Sequence, residues 1–421
     1  MKRTFRELGF GPADILLPRD CDMTRWSVVA CDQYTSQPEY WEEAARIVGD
    51  APSCLKLVLP ECYLNEAAQR VPQIHREMER YVADGVLDMS ADAGMMLLER
   101  TTQSGSRLGL VCLADLESYD FTGRKSLIRP TEETITSRLP PRQAVRREAL
   151  LESAHVMLLI DDPQDTVIGP LYRRWQGAMD AYDFEAMQGC GHLRGKRITS
   201  DEELAAVCHA LAALMEKQGE EPLLFAVGDG NHSLATAKAH WEELKAHLSP
   251  EAQRTHPARY AMVEVVNIHD DALKFEPIHR VLMHVDADEM VKDWAEYCVQ
   301  RGMRLTLSPA DGAERFTLLC GDEERSVYIS GAADPLPVAT LQRYLDDFLR
   351  RHPEAEIDYI HGDDVLRRLS ARPGCAGFLL PPLDKSAFFA AIDQLGTLPR
   401  KTFSMGHANE KRCYMECRRI R

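Results

Sequence analysis

The chain has 421 residues, of which 45% are hydrophobic and 28% are charged, and its formal net charge is −16. This length supports two or three structural units, and the acidic balance argues against nucleic acid as the main partner. No apolar run is long enough to cross a bilayer and no signal peptide is visible. We therefore expect a cytoplasmic protein with no membrane partner.

Positive charge is concentrated in two islands, 124–147 and 399–421, each with seven Lys or Arg residues against two acids. Each island thus carries +5 within an otherwise acidic chain. A local positive region can bind an anion, although a charge run is also typical of a solvated surface. The islands indicate a small anionic or phosphorylated metabolite as the partner.

Apolar periodicity and turn residues predict strands and helices in alternation along the chain. In chain order these are a hairpin at 95–102 and 107–115, a helix start at 130–133 capped by Thr131, a strand at 155–160, helices at 167–182 and 202–218, a strand at 223–227, a helix at 232–248, and strands at 259–267 and 273–282. Beyond 285 they are a helix to 301, strands near 305, at 316–320 and at 326–329, and helices at 341–350 and 386–395. The mixture predicts an α/β fold of the mixed α+β kind. We divide it into an N-terminal region, 1–288, and a C-terminal region, 289–421, whose basic tail returns to the site.

The segment Gly228-Asp229-Gly230-Asn231-His232-Ser233 is the strongest candidate for a functional site. It joins a buried type of strand to a helix, and its glycines permit positive φ and close approach of a ligand. The helix start offers N–H groups to an anion, and His232 can move a proton near neutral pH. Asp229 can act as a base or a metal ligand. A tight turn without chemistry explains the same glycines, and this alternative stays open.

Three further segments combine cations with hydroxyl, imidazole or carboxylate groups. In the first, Glu132 is a candidate general base and Arg129 and Thr131 suit an anion, although a capped helix start explains them equally well. His279 and Arg280 end a predicted strand, where an arginine fork suits phosphate or carboxylate. The tail is either a mobile terminus or a further anion site. Its candidate residues are Lys401, Ser404, His407 and Arg412.

Several standard motifs are missing from the sequence. It has no Walker-type phosphate loop, no Gly-x-Gly-x-x-Gly, no Gly-x-Ser-x-Gly and no His-Glu-x-x-His. This excludes the readily recognised nucleotide-binding, hydrolase and zinc-protease classes.

Five segments together resemble the domain-of-unknown-function family 1015, over nearly the whole chain. They are 26–41, 129–134, 227–238, 275–280 and 401–407. The turn at 228–233 has a fainter resemblance to the ParB/sulfiredoxin fold, which includes nucleotide-dependent free-serine kinases. This implies a ParB/sulfiredoxin-like phosphate-binding core with a smaller C-terminal α/β unit.

In those kinases the corresponding turn contacts phosphate, which implies the same role for the turn here. Ser233 stands where the family resemblance leads one to expect an arginine, and Arg280, Lys401 or Arg412 is the candidate replacement. We also expect residues 32–35, a polar run between two tryptophans, to form a wall of the site.

The resemblance implies a phosphotransferase or phosphohydrolase, kinase- or phosphatase-like, that acts on serine, phosphoserine or another small hydroxy amino acid. Mg²⁺, with Asp229 as its ligand, and a nucleotide such as ATP or ADP are the implied cofactors. The alternative is a regulatory protein that binds a nucleotide or phosphometabolite without turnover, and a homo-oligomer is left open. The predicted catalytic residues are Asp229, His232 and Glu132. The predicted phosphate-binding residues are Gly228, Gly230, Asn231, Ser233, Arg129, Thr131, His279, Arg280, Lys401, Ser404, His407 and Arg412.

Overall fold

The computed structural model describes residues 3–89 and 92–421. The chain divides into two compact units, one formed by Met1–Leu273 with Gly406–Arg421 and the other by Lys274–Met405. The sequence pattern placed a division at 288 and assigned the whole tail to the C-terminal region. In the structure, residues from Gly406 onward belong to the first unit, and the second unit is an insertion within it.

The helices and strands alternate over the described residues, as expected for a mixed α/β fold. The helices are α1 (Met23–Trp26), α2 (Pro38–Val48), α3 (Ala67–Ala83), α4 (Pro140–Arg147), α5 (Gly169–Trp175), α6 (Asp201–Glu216), α7 (Asn231–Lys245), α8 (Pro250–Thr255), α9 (Ala287–Gln300), α10 (Pro337–Arg351), α11 (Asp363–Ser370) and α12 (Phe388–Leu395). Short 3₁₀ turns lie at Phe5–Leu8, Cys54–Leu57, Glu61–Glu66, Leu116–Ser118, Thr136–Arg138, Met187–Gly189, Pro257–Arg259, Lys385–Ala387 and Ala408–Glu410. Over residues 3–89 and 92–421, no helix combines the length and apolar character needed to cross a membrane.

The strands form one large sheet in each unit and two short ladders. They are β1 (Phe10–Gly11), β2 (Val28–Val29), β3 (Met95–Thr102), β4 (Gly105–Asp115), β5 (Ile128–Arg129), β6 (Leu151–Glu152), β7 (Val156–Ile160), β8 (Tyr182–Glu185), β9 (His192–Ile198), β10 (Phe225–Asp229), β11 (Tyr260–Asn267), β12 (Phe275–Met283), β13 (Arg304–Thr306), β14 (Glu314–Cys320), β15 (Glu323–Ser330), β16 (Glu356–His361), β17 (Cys375–Leu379), β18 (Phe403–Met405), β19 (Cys413–Tyr414) and β20 (Arg418–Arg419).

The sheet of the first unit has the strand order β5-β10-β7-β11-β4-β3-β9-β8, with β1 paired to β4. It is mixed, because β10 runs parallel to β5 but antiparallel to β7, and β11 runs parallel to β7 but antiparallel to β4. Alternate residues of β3 enter different apolar clusters: Met96 and Leu98 join one, and Met95 and Leu97 join the other. Since successive side chains of a strand point to opposite faces, both faces of this sheet are covered.

The C-terminal tail is built into the first unit by two short antiparallel ladders. β19 pairs with β2 near the N-terminus, and β20 pairs with β6. Tyr414 and Met415 are fully buried. The tail is therefore part of the core of the first unit.

The second unit has its own antiparallel sheet, with the strand order β13-β15-β14-β17-β12-β16 and β18 paired to β12. The chain enters and leaves the second unit at neighbouring positions, because Phe275 and Met405 are partners in the β12–β18 ladder.

Two predicted helices differ from the structure. The helix start at 130–133 is wrong, since this segment is a loop and the next α-helix, α4, begins at Pro140. Thr131 caps no helix there, because its hydroxyl donates to the Val227 carbonyl at 2.7 Å. The helix predicted at 167–182 ends at Trp175, and Tyr182 instead begins β8. The buried Tyr182 hydroxyl donates to Glu416 Oε1 at 2.7 Å, a contact that the strand position allows.

Candidate functional site

The turn between β10 and α7 owes its shape to two glycines with different functions. At Gly228 the pairing of β10 with β7 shifts register, which marks a bulge, and a Cβ on this residue would lie 2.9 Å from Leu159 Cγ. Gly230 has φ of +90°, in the left-handed region, and precedes the first residue of α7. The bulge and the left-handed residue together place Asp229 at the N-terminal end of α7.

The space beside Gly230 is filled by the guanidinium of Arg412. A Cβ on Gly230 would lie 2.9 Å from Arg412 Nη1. The sequence suggested that a ligand approaches the backbone here, whereas the structure places a side chain of the tail against it. Of the three cations considered as replacements for the expected arginine, Arg412 is the one that lies at the turn.

Arg412 is fully buried and joins three segments of the first unit. Its Nε donates to Asp229 Oδ2 at 3.0 Å, its Nη2 donates to Asp32, and its Nη1 donates to the carbonyl of His155. Burial lowers the pKa of Arg412, but the charges of Asp32 and Asp229 outweigh this and raise the pKa well above its ordinary value. The guanidinium is thus a permanent cation, and its Nε, Nη1 and Nη2 each donate a hydrogen bond.

The two carboxylates on Arg412 are only partly shielded from solvent: 15% of the Asp32 side chain and 14% of the Asp229 side chain are exposed. Lys411 Nζ lies 3.7 Å from Asp229 Oδ1. Gln33 Nε2 donates to Asp32 Oδ1 at 2.9 Å and reaches Asp229 Oδ2 at 3.5 Å. These contacts place Asp32 and Gln33 beside the turn.

The charge state of Asp229 follows from these neighbours. Burial raises the pKa of its carboxyl group, but Lys411 and Arg412 outweigh burial and hold the pKa below the ordinary value. Asp229 is therefore an anion at neutral pH, and it is a weak proton acceptor.

Asn231 and Thr131 connect the turn to the loop after β5. The backbone N–H of Thr131 donates to Asn231 Oδ1 at 3.1 Å, and Asn231 Nδ2 donates to Thr131 Oγ1 at 3.1 Å. Both side chains are buried. Their polar atoms are thus used to fix the turn.

His232 has an unusual environment at the first turn of α7. Its Nε2 is buried, and no hydrogen-bond partner for it occurs among the residues that the structure describes. Burial lowers the pKa of His232, as do the charges of Arg142 and Arg138, against the opposing charge of Asp32. The imidazole is neutral at neutral pH and has one nitrogen without a partner.

A second group of charges faces His232 and Asp32. Arg142 forms an ion pair with Glu61 in which 12% and 18% of the two side chains are exposed. Burial raises the pKa of Glu61, against the charge of Arg142. Arg138 is exposed and close enough for its charge to lower the pKa values of both His232 and Glu61. The first basic island therefore reaches the turn through its helix α4 and the 3₁₀ turn before it.

The other predicted residues of the first unit lie in different surroundings. Arg129 is buried in β5 and donates to the carbonyls of Ser126 and Glu221, each at 3.0 Å. Glu132 is half-buried in the loop after β5. His407 is exposed, and Ser233 lies on the wall of a cavity beside the turn.

Four predicted residues belong to the second unit. The N–H of Leu380 donates to His279 Nδ1 at 3.1 Å, so His279 Nε2 carries the proton and donates to Asp363 at 2.9 Å. Arg280 is fully buried and donates to Gln342 Oε1 at 3.1 Å and to the Arg400 carbonyl at 3.0 Å. Lys401 is exposed with φ of +56°, and Ser404 lies in β18.

Four residues near the turn were absent from the predicted site: Glu61, Arg138, Arg142 and Lys411. Gln33 belongs to the stretch 32–35, the polar run that was expected to form a wall of the site. The two basic islands contain Arg138, Arg142 and Lys411, but the sequence does not indicate which residues of the islands lie near the turn. Nothing in the sequence pattern signals Glu61.

Asp32 and Asp229 are the residues of this site that could hold a divalent cation. Carboxylate oxygens suit Mg²⁺, which is commonly held by one or two carboxylates and completed by water and substrate phosphate. No group of three or more His, Cys, Asp or Glu side chains with metal-binding geometry occurs within residues 3–89 and 92–421. A cation here would need ligand oxygens from a bound phosphate.

Comparison with solved structures gives several matches of low similarity. Free serine kinase in complex with AMP is 12% identical, with 74% of this chain and 92% of that chain covered and a TM-score of 0.38. SbnI with C-terminal truncation, from Staphylococcus aureus, is 12% identical over 72% and 85% of the two chains, with a TM-score of 0.37. A conserved hypothetical protein from Pyrococcus furiosus is 11% identical over 70% and 90%, with a TM-score of 0.34.

No curated protein sequence matches the chain significantly. A family model described as "Protein of unknown function (DUF1015)" matches residues 15–348. The match includes the turn at 228–233, the loop after β5 and the stretch beginning at residue 32. The chain belongs to the DUF1015 family.

Proposed function

We propose that the first unit binds a small organic phosphate at the turn and transfers its phosphoryl group, with a small hydroxy amino acid or its phosphate as substrate. One observation carries this proposal. Asp32 and Asp229, from distant parts of the chain, share the buried guanidinium of Arg412 beside Lys411, at the N-terminal end of α7. A preorganised set of carboxylates and cations at a helix start is the arrangement that phosphoryl transfer requires.

The charges support separate roles for the two carboxylates and the imidazole. Asp229 stays ionised and Asp32 offers a second carboxylate beside it, so we assign both to Mg²⁺ that a nucleotide such as ATP or ADP brings with its phosphates. Because the pKa of Asp229 is low, we assign proton transfer from the substrate hydroxyl to His232, whose Nε2 lacks a partner among the described residues. Arg138 and Lys411 are the cations with exposed surface that would bind the phosphate oxygens.

Calorimetric titration with ADP and O-phosphoserine, with and without Mg²⁺, tests the binding site, and ATP consumption with serine or threonine tests turnover. Arg138→Ala should weaken phosphate binding about tenfold, since one charge-assisted contact contributes roughly 1.4 kcal/mol or more. Arg124→Ala is the matched control, because Arg124 is an exposed arginine of the same basic island. Asp229→Asn should remove the Mg²⁺ dependence. Equal binding by the Arg138 and Arg124 variants would contradict the proposed site.

A regulatory protein that binds a phosphometabolite or nucleotide without turnover is the second candidate. The observation in its favour is that both carboxylates are already neutralised by cations of the chain. Binding that depends on Arg138, together with no consumption of ATP by any hydroxy amino acid, would favour this candidate over the enzyme.

A further inference from the structure

An apolar cavity of about 120 Å³ lies beside the turn, within the first unit. It is lined by the segment around Cys54–Leu57, by α3, α4 and α7, and by the strand β6, and it is partly open to solvent. Its lining is mainly aliphatic and includes Leu57, Leu59, Met78, Val145, Leu234 and Met262.

The wall of this cavity lies close to the anion site, because Arg142 in the wall is near enough for its charge to act on His232, and Glu61 in the wall feels the charge of Asp32. Cys31, which lines the cavity, precedes Asp32, and Ser233, which also lines it, follows His232. The ion pair of Glu61 and Arg142 forms another part of the lining. The anion site and the cavity are therefore neighbours within the first unit.

The charged groups in the cavity wall already have partners. Arg142 is paired with Glu61, and Glu152 accepts hydrogen bonds from both Arg146 and Arg418. Burial raises the pKa of Glu152, but the two arginines outweigh burial and keep the carboxyl group ionised. A polar ligand group would find no counter-charge here, so the free energy of filling the cavity comes from burial of apolar surface.

We propose that this cavity binds the apolar body of the ligand whose phosphate is held at the turn. The inference rests on the proposed function and narrows its substrate class to organic phosphates that carry a hydrocarbon group. Aliphatic cavities of roughly 150 Å³ accept benzene, so a group of up to about that size fits. Among hydroxy amino acids and their phosphates, this favours threonine, which carries a methyl group next to its hydroxyl, over serine.

A graded series of ligands tests the proposal on the unmodified full chain. Inorganic phosphate, methyl, ethyl, propyl, butyl and phenyl phosphate differ in apolar surface but share one anionic group. Each methylene that enters the cavity should raise the affinity about fourfold, until the cavity is full. Calorimetric titration measures this slope, and O-phosphothreonine should bind more tightly than O-phosphoserine.

Val145→Phe locates the effect within the cavity. Val145 lies on α4 with a half-buried side chain, so a larger ring can enter the cavity from its edge. This variant should bind inorganic phosphate as the parent does and lose the gain from propyl, butyl and phenyl groups. Val299→Phe, the same change at a side chain that is 71% exposed in the second unit, should leave the whole series unchanged.

The outcomes separate the two proposals. An affinity that stays flat from inorganic phosphate to phenyl phosphate would overturn the cavity proposal while leaving the anion site intact. Retention of the full slope in Val145→Phe would also overturn it. A third outcome is that no phosphate binds, but benzene raises the melting temperature of the parent and not of Val145→Phe. In that case the cavity accepts apolar groups, but the proposed function fails, and the substrate class that rests on it fails too.

Discussion

At the scale of single residues, the candidate site depends on a glycine that makes room for an arginine. Gly230 combines φ of +90° with a neighbouring guanidinium atom 2.9 Å from where its Cβ would be. Arg412 can reach Asp32, Asp229 and the His155 carbonyl together because this space is left open. A glycine at position 230 is therefore needed both for the positive φ of the turn and for the space that Arg412 occupies.

Gly230→Ala should destabilise the first unit more than the same change at Gly85. Both glycines have positive φ, which costs alanine about 1–2 kcal/mol, but nothing lies within 4 Å of a Cβ at Gly85. The clash with Arg412 should add roughly another 1–3 kcal/mol at Gly230. Urea unfolding of the two variants measures the difference. Equal losses would show that Arg412 does not restrict this position.

The residues of the turn could be predicted from the sequence, and Arg412 and the stretch from Asp32 were named as candidates for its surroundings, but the contacts among them could not be predicted. The glycines, Asp229 and His232 stand in one short segment between a strand and a helix, and local pattern identifies them. Arg412 is 183 positions from Asp229 and 380 from Asp32. Only folding brings these side chains together, because their contact depends on how the tail passes through the core.

At the scale of elements, the strands and helices next to the turn were predicted well and the loop after β5 was not. Apolar runs indicated β7 and β10, and helical spacing indicated α6 and α7, all within a few residues of the observed bounds. The segment at 130–133 has the residues of a capped helix start. The Thr131 hydroxyl instead donates a hydrogen bond to the Val227 carbonyl in β10. This long-range contact outweighs the local preference for a capped helix start.

The tail segment at 411–420 should be indispensable for the first unit. It supplies β19 and β20, the buried Tyr414 and Met415, and the cation between two carboxylates. A variant that ends at Glu410 should lose more than about 5 kcal/mol, which is the whole stability of a typical domain. Near-ultraviolet circular dichroism and urea unfolding measure this.

A variant without Arg421 alone is the control for this truncation. Arg421 is exposed, with an ion pair to the exposed Glu148, so its removal should change stability by less than about 1 kcal/mol. Cooperative unfolding of the variant that ends at Glu410, at the midpoint of the parent, would contradict the importance given to the tail.

At the scale of the whole molecule, the chain is one unit with a second unit inserted into it. The sequence pattern showed a change of rhythm near 288 and predicted that the basic tail returns to the site, but it did not show that the chain rejoins the first unit at Gly406. The reason is that β12 and β18 pair across more than a hundred residues, and neither strand is next to a recognisable linker. Apolar periodicity predicts individual helices and strands, but it does not predict which strands pair. The assignment of the tail to the first unit depends on that pairing.

Removal of Lys274–Met405 should leave a first unit that folds. The two ends of this segment are neighbours in an antiparallel ladder, so a short glycine-rich link can join Leu273 to Gly406. The shortened chain should unfold cooperatively and bind phenyl phosphate with the affinity of the full chain. A deletion of 274–330, which cuts the second sheet in two, is the control and should aggregate. Loss of folding in the precise excision would contradict the two-unit description.

The ion cluster around Arg412 also has a consequence for the order of events during synthesis. Asp32 and Asp229 are made long before their shared cation, which follows Asp229 by 183 residues. At 5–20 residues per second, the ribosome needs roughly 10 to 40 seconds to cover that interval. During this time two carboxylates meant for a protected position have no counter-ion, and β2 and β6 lack the strands that pair with them. The cluster of Asp32, Asp229 and Arg412 therefore cannot form until residue 412 has been made.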